Sequence, residues 1–442
     1  MKSHGKRTKQ LLIWGVEQTG NDNLMDTIFD PLNLQRAERQ VKQNRGAPGP
    51  DGMKYSEISE FLKLNLVQLQ NKVLEGQYYP APVRRVVIPK PGGGERLLGI
   101  ANVQDRFIQQ AILQVLQEIF DPEFSESSYG FRPKRNAHEA VLQAREYVRE
   151  GYHIVVDVDL EKFFDRVNHD ILMSRVARKV KDKRVLKLIR LYLQAGVLLD
   201  GVQVHSDEGT PQGGPLSPLL ANILLDDLDK ELHKRGHKFC RYADDCNIYV
   251  RSYRSGVRVK ESITNFLEQR LRLFVNEKKS SVDIPARRKF LGFSITHMGI
   301  GTRILISKAS LKRLKDKIRF YTNPTWSISI EERMFVLNRY LKGWLNYYAL
   351  TDWPTVFGSL TSWTRRRLRL CLWHQWKLPR TRARKLIGLG VSKRQAYAAA
   401  YSSRKEWRSS LMFGAHAGLN NKFWAKLGLY QLEVEYSKCR KL

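Results

Sequence analysis

Phe239-Cys240-Arg241-Tyr242-Ala243-Asp244-Asp245-Cys246-Asn247-Ile248-Tyr249-Val250 reads as two apolar arms closed by a short turn that carries adjacent carboxylates. The spacing predicts a hairpin over 238–250. Neighbouring aspartates repel, and a turn flanked by buried strands is a costly place for them unless a cation neutralises the charge. Taken alone, an Asp-Asp pair is an ordinary solvated turn. A second acidic stretch changes that reading. Asp157-Val158-Asp159-Leu160-Glu161-Lys162-Phe163-Phe164-Asp165 closes the apolar run His153-Ile154-Val155-Val156, which fits a buried strand. If that strand lies beside the hairpin, Asp159 approaches Asp244 and Asp245. Asp157 shares the face of Asp159, being two residues away on a strand, and could bind in its place. Convergent carboxylate oxygens suit hard divalent cations, and Mg²⁺ typically takes one or two carboxylates plus substrate phosphates. Two such ions, about 3.5–4 Å apart, would activate a hydroxyl and stabilise a leaving pyrophosphate.

Outward from these acids, residues 31–80 read as helices joined by the turn Gly46-Ala47-Pro48-Gly49-Pro50-Asp51-Gly52. The stretch 84–90 is strand-like and ends in Pro91-Gly92-Gly93-Gly94. Apolar spacing predicts helices over 103–120, from His169 to about Ala195, and over 219–232. Strand, helix, hairpin, helix and strand in that order fit a small sheet backed by helices, a split βαβ unit. Asp165 and Asp226 read as structural acids, pairing with nearby Arg or capping helices.

The chain has 442 residues, 42% of them hydrophobic, and a formal net charge of +32. That length suggests roughly three domains with packed cores. Residues 301–442 hold 29 Lys+Arg against 7 Asp+Glu and eight of the nine tryptophans, so a compositional break falls near residue 300. A chain this basic faces a polyanion, nucleic acid first. A ribosomal or chromatin-like binder without chemistry would share that charge; the acidic cluster within it is what such a binder lacks. No apolar run approaches a membrane span. Four cysteines without a C-x-x-C pair argue against a zinc module and a disulfide framework, so reduced, intracellular thiols are expected.

Tyr242-Ala243-Asp244-Asp245 resembles the Y-x-D-D motif of reverse transcriptases, and Asp159 through Phe164 resembles their first acidic motif. Further blocks stand in the same order: Ile88-Pro89-Lys90-Pro91 with Arg96, Ser128-Tyr129-Gly130-Phe131-Arg132-Pro133, 209–218 (GTPQGGPLSP), Asn276 with Lys279, and Phe290-Leu291-Gly292-Phe293. The set is similar to bacterial group II intron reverse transcriptase/maturases over roughly 23–442. The resemblance implies an α/β right-hand polymerase, with fingers and a palm of split βαβ type, followed by an α-helical thumb or maturase domain. Its divisions would be a poorly matched 1–30, an N-terminal extension and fingers over 31–150, a palm over 151–300, a helical thumb over 301–385 and a basic DNA-binding region over 386–442. The zinc-bearing endonuclease of longer relatives has no counterpart here, so the endonuclease-lacking type is expected.

The same resemblance implies roles. Asp159, Asp244 and Asp245, with the Leu160 carbonyl, would hold two Mg²⁺ ions, with Mn²⁺ as a substitute. Lys90, Arg96, Phe164, Gln212, Gly213 and Lys279 would bind the incoming dNTP, Phe164 excluding a ribose 2′-hydroxyl. Phe290, Leu291, Gly292 and Phe293 would form a primer grip, although a plain core strand fits those residues equally. Arg132, Arg339, Lys342, Arg365, Arg366, Arg367, Arg369, Arg404 and Lys405 would contact RNA or DNA. Most tryptophans read as core. The implied function is RNA-directed DNA synthesis on a primed RNA template, with intron RNA bound for splicing and mobility at a DNA target. A splicing cofactor with a vestigial polymerase and a diversity-generating or defence reverse transcriptase are the alternatives. No membrane partner is expected, and a bacterial cytoplasm, nucleoid-associated on target DNA, is the implied location.

Overall fold

A computed structural model describes residues 23–89, 94–199, 202–204, 209, 213–299 and 301–440. The chain divides into two compact units. The first comprises Met1–Asn136, Val156–Ile248 and Arg254–Val282. Strands β1 (Val83–Pro89) and β2 (Glu95–Ile100) form an antiparallel hairpin, in register from Arg84 opposite Ile100 to Pro89 opposite Glu95. β3 (Ile154–Asp159), β4 (Val197–Leu199), β5 (Val202–Val204), β6 (Lys238–Tyr242), β7 (Asp245–Val250) and β8 (Ser281–Asp283) complete two four-stranded sheets, ordered β2-β1-β4-β5 and β6-β7-β3-β8. The second sheet places the hairpin strand β7 directly beside β3, as the acidic residues require.

The Ser217–Lys234 helix buries Leu220, Ile223, Leu224, Leu225, Leu228 and Leu232, and its polar Asn222 and Asp229 are buried too. Such all-round burial marks a helix enclosed within the unit, and the buried polar residues on it need partners. The helix expected from His169 to about Ala195 is two helices, His169–Val176 and Lys183–Gln194. The break is chemical: Asp182 accepts the N–H of Arg184 at 2.9 Å and starts the second helix, while its other oxygen accepts the N–H of Met25 at 3.0 Å.

Asp105, on the Val103–Phe120 helix, is only 3% exposed and accepts the Tyr78 hydroxyl at 2.6 Å. Burial raises its pKa from 3.8 to about 6, against the pull of the Tyr78 and Ala81 donors. A folded-state value above the ordinary one favours the protonated form. Its contribution to stability is complete below pH 3.8 and is lost as pH rises through about 6, at a cost of about 3 kcal/mol. Asp105→Asn should remove that cost, so the variant should gain stability relative to wild type between pH 4 and pH 7. Thermal unfolding at both values checks this; a difference that stays constant with pH contradicts it.

The second unit comprises Ala137–Val155, Tyr249–Tyr253 and Asp283–Leu442. An antiparallel hairpin of β9 (Phe293–Met298) and β10 (Gly301–Ile306) precedes the helices Lys308–Tyr321, Ile330–Tyr348, Thr355–Gln375 and Pro379–Gly388. Ser329 and Glu332 form a reciprocal capping box that starts the second of these. Trp373 and Trp424 are fully buried, Trp373 within a cluster of Leu386, Val391, Ala396, Ala399 and Ala415. No helix among the described residues is long and apolar enough to cross a membrane.

Candidate active site

In the first unit, β6 and β7 are joined through Ala243, whose φ of +58° is left-handed. That conformation costs a non-glycine residue about 1–2 kcal/mol, so the surroundings must hold it. Arg241 does so from within the same strand. Its side chain is fully buried and all five N–H groups are used. Nε and Nη2 grip the Asp229 carboxylate at 2.7 and 2.6 Å, Nη1 donates to Asn222 at 2.9 Å and to the Ala243 carbonyl at 3.0 Å, and Nη2 donates to the Ser128 hydroxyl at 2.8 Å. On the other side of the turn, a Cβ on Gly130 would lie 2.4 Å from the Ala243 nitrogen, so only glycine allows the approach.

Asp244 and Asp245 follow this turn. Burial raises the Asp244 carboxyl above its ordinary pKa, the Asp159 carboxylate adds to the rise, and Arg96 and Arg241 oppose it. Asp159 ends β3 with its backbone tied down: its N–H donates to the Ser280 hydroxyl at 2.9 Å and its carbonyl accepts the Asn276 N–H at 2.8 Å. Lys279 places its ammonium 3.4 Å from Asp159 Oδ1. Asp226 pairs with Lys230, one helical turn on, rather than with an arginine.

Arg96 is exposed on β2, paired in register with Ile88 at the outer end of the β1–β2 hairpin. Phe164 is half-buried, packed edge-to-face against Phe163 at 5.1 Å between centroids. Gly213 has φ +123°, and a Cβ there would meet the Gly99 carbonyl at 2.7 Å. Lys90 and Gln212 lie outside the described residues.

Among the described residues, no three His, Cys, Asp or Glu side chains form a ready cage for a metal ion. The donor set nevertheless fits Mg²⁺, which binds through one or two carboxylates and completes its shell with water and phosphate. A desolvated Asp244 beside a second carboxylate is the charge imbalance that a hard cation relieves.

In the second unit, Phe290 and Phe293 exchange backbone hydrogen bonds at 2.9 Å around Leu291 and Gly292, whose φ values are +49° and +88°. Two left-handed residues make this a tight two-residue turn. Tyr347 donates its hydroxyl to the Leu291 carbonyl at 2.8 Å, and Ser310 donates to the Gly292 carbonyl at 3.0 Å. The turn is thus locked onto the Ile330–Tyr348 and Lys308–Tyr321 helices.

The predicted nucleic-acid contacts divide. Arg339, Lys342, Arg404 and Lys405 are exposed. Arg132 is not available: its guanidinium is spent on the Asp121 carboxylate and on the carbonyls of Asp121, Ser125 and Ser128. Arg365 is buried and paired with Glu433 at 3.6 Å. Arg369 is buried and donates to the carbonyls of Ser410 and Leu419. Arg366 lies 3.7 Å from the Trp407 ring centroid and Arg367 donates to Thr322. Arg132, Arg365 and Arg369 are thus buried and committed to acceptors within their own unit, whereas Arg366 and Arg367 are half-buried.

Sequence reasoning passed over Arg241, Asp229, Asn222 and Ser280. A signal did exist: an arginine inside an apolar strand must bury an acid with it, and Asp229 lies among the leucines of the Ser217–Lys234 helix.

Two family profiles match the chain. The one described as reverse transcriptase (RNA-dependent DNA polymerase) covers residues 88–295, and that of the group II intron, maturase-specific domain, covers 311–387. Protein YkfC of Escherichia coli (strain K12) is 33% identical over 299 residues, 59% of this chain and 78% of that protein. The group II intron-encoded protein LtrA of Lactococcus lactis subsp. cremoris is 36% identical over 208 residues, 46% of this chain and 34% of LtrA. The putative COX1/OXI3 intron 1 protein of Saccharomyces cerevisiae is 27% identical over 339 residues, 63% of this chain and 40% of that protein. This chain therefore spans most of the first relative's length but well under half of the other two.

Proposed function

The chain belongs to the group II intron reverse transcriptase/maturase family, and from that premise we propose that it extends a DNA primer on an RNA template and binds intron RNA to promote splicing. The observation that supports the polymerase most directly is the left-handed Ala243 turn, which presents Asp244 and Asp245 beside the strand that ends in Asp159. Reverse transcriptase domains use divalent metal ions, typically Mg²⁺. Two ions held by Asp159, Asp244, Asp245 and the Leu160 carbonyl would acidify the primer 3′-hydroxyl and neutralise the leaving pyrophosphate.

The remaining work falls to the protein's own groups. Arg96 and Lys90 would hold the triphosphate of the incoming dNTP from the β1–β2 hairpin. Gly213 would let the backbone approach the nucleotide, with Gln212 at its edge. Lys279 would leave Asp159 and turn its ammonium to the pyrophosphate. Phe290–Phe293 would support the primer. Exposed Arg339, Lys342, Arg404 and Lys405 would meet phosphates of intron RNA or target DNA, and retrohoming would follow from the two activities together.

Phe164 is the steric filter on this reading. Phe164→Ala should raise incorporation of rNTP relative to dNTP by about 10–100-fold, the worth of about 1–3 kcal/mol of steric discrimination. Primer extension with each nucleotide measures the ratio; an unchanged ratio contradicts the role. The maturase half is tested by splicing of the host intron RNA with and without the protein. No acceleration by a protein that copies RNA would leave a reverse transcriptase without maturation, as in the diversity-generating or defence alternative.

A further inference from the structure

We infer that Arg241 is a positioning residue for nucleotidyl transfer: it clamps the strained Ala243 turn so that Asp244 and Asp245 are delivered in one fixed orientation. This rests on the polymerase reading above. Arg241 lies on β6, fully buried, with its head turned into the unit and no exposed surface for substrate. It is nonetheless three residues from Asp244, and one of its five hydrogen bonds, at 3.0 Å, goes to the Ala243 carbonyl in the turn.

The clamp has three layers. Asp229, fully buried on the Ser217–Lys234 helix, fixes the guanidinium plane through a two-point contact, which a point charge could not do. Asn222 and Ser128 take two more donors, and Asn222 also donates to the Gly130 carbonyl at 2.8 Å. The backbone of Arg241 pairs with the same segment, accepting the Tyr129 N–H at 2.9 Å and donating to Ser127 at 2.8 Å. Gly130 then presses on Ala243 so closely that no side chain fits between them. The fork, the glycine and the hydrogen-bonded segment all bear on one alanine held at positive φ. A purely structural ion pair would not need its last donor on that carbonyl.

Arg241→Lys keeps the charge opposite Asp229 but cannot supply the planar fork. Left with a weakened hold, Ala243 should relax toward negative φ and carry Asp244 with it. The experiment compares steady-state dNTP incorporation by wild type, Arg241→Lys and Arg241→Lys/Ala243→Gly over a Mg²⁺ titration, with primer–template binding and thermal unfolding alongside. The expected result is a kcat about 100-fold lower in Arg241→Lys, a displacement of the acids by about 1 Å being enough for that loss. The Mg²⁺ concentration for half-maximal rate should rise several-fold, while primer–template affinity holds. Ala243→Gly should recover about tenfold in that background, because glycine adopts positive φ without strain. A folded Arg241→Lys with wild-type kcat and Mg²⁺ response overturns the proposal, as does a loss that Ala243→Gly does not relieve.

Should Arg241→Lys fail to fold, Arg241→Met/Asp229→Leu removes both charges together, a replacement that buried ion pairs usually tolerate. That double variant should fold, bind primer–template and show the same low kcat; full activity in it overturns the clamp. Absence of incorporation by wild type would instead remove the polymerase reading, and this inference with it.

Discussion

Asp244→Ala should lower RNA-templated dNTP incorporation by at least about 10³-fold, equivalent to about 4 kcal/mol of lost transition-state stabilisation. The size follows from where the carboxylate sits. Asp244 is desolvated, within the field of Asp159, and follows a turn whose Ala243 is held at positive φ. A neighbouring water cannot replace a carboxylate whose purpose is to bring negative charge to a metal beside phosphates. The loss should not come from unfolding, since alanine removes one of two repelling acids and leaves the Arg241–Asp229 pair intact. Primer extension, with thermal unfolding of the same preparation, makes the comparison. A folded variant that extends at the wild-type rate would remove Asp244 from the metal site.

The second large effect is on stability. Arg369→Ala should destabilise the second unit by about 3 kcal/mol, because the Ser410 and Leu419 carbonyls would lose a charged donor inside the protein. Burial, with Arg365 and Arg366 nearby, already lowers the Arg369 pKa to about 10, so the charge is kept at a cost and depends on those carbonyls. Arg339→Glu/Lys342→Glu should behave in the opposite way. Both side chains are exposed on the Ile330–Tyr348 helix. Their replacement should leave unfolding unchanged and reduce the slope of log affinity against log salt for single-stranded RNA by about 1.4. Thermal unfolding and RNA binding across a salt series separate the two cases. An undestabilised Arg369→Ala with a reduced salt slope would place Arg369 on the RNA after all.

These two outcomes show what kind of information one sequence carries. The neighbouring of β3 and β7 was legible, because an apolar run and an apolar hairpin that both end in acids fit one small sheet. The Val103–Phe120 helix was legible from its apolar period alone. Burial of Arg365 and Arg369 was not legible, because a basic stripe looks the same whether it faces phosphate or protein acceptors. The acceptors that decide the matter, at Ser410 and Leu419, come from a later part of the chain. The break at Asp182 was missed for a related reason, as a cap is recognised by the N–H it accepts and not by its place in a run of residues. The clamp on Ala243 draws on Ser128, Asn222, Asp229 and Arg241, four positions that only the fold brings together.

The most direct measurement is dTTP incorporation on poly(rA) primed with oligo(dT), in Mg²⁺, with a chelator control. Template-dependent incorporation that the chelator abolishes is the predicted result. No incorporation by a folded protein that still binds RNA would contradict the polymerase and leave a splicing cofactor in its place.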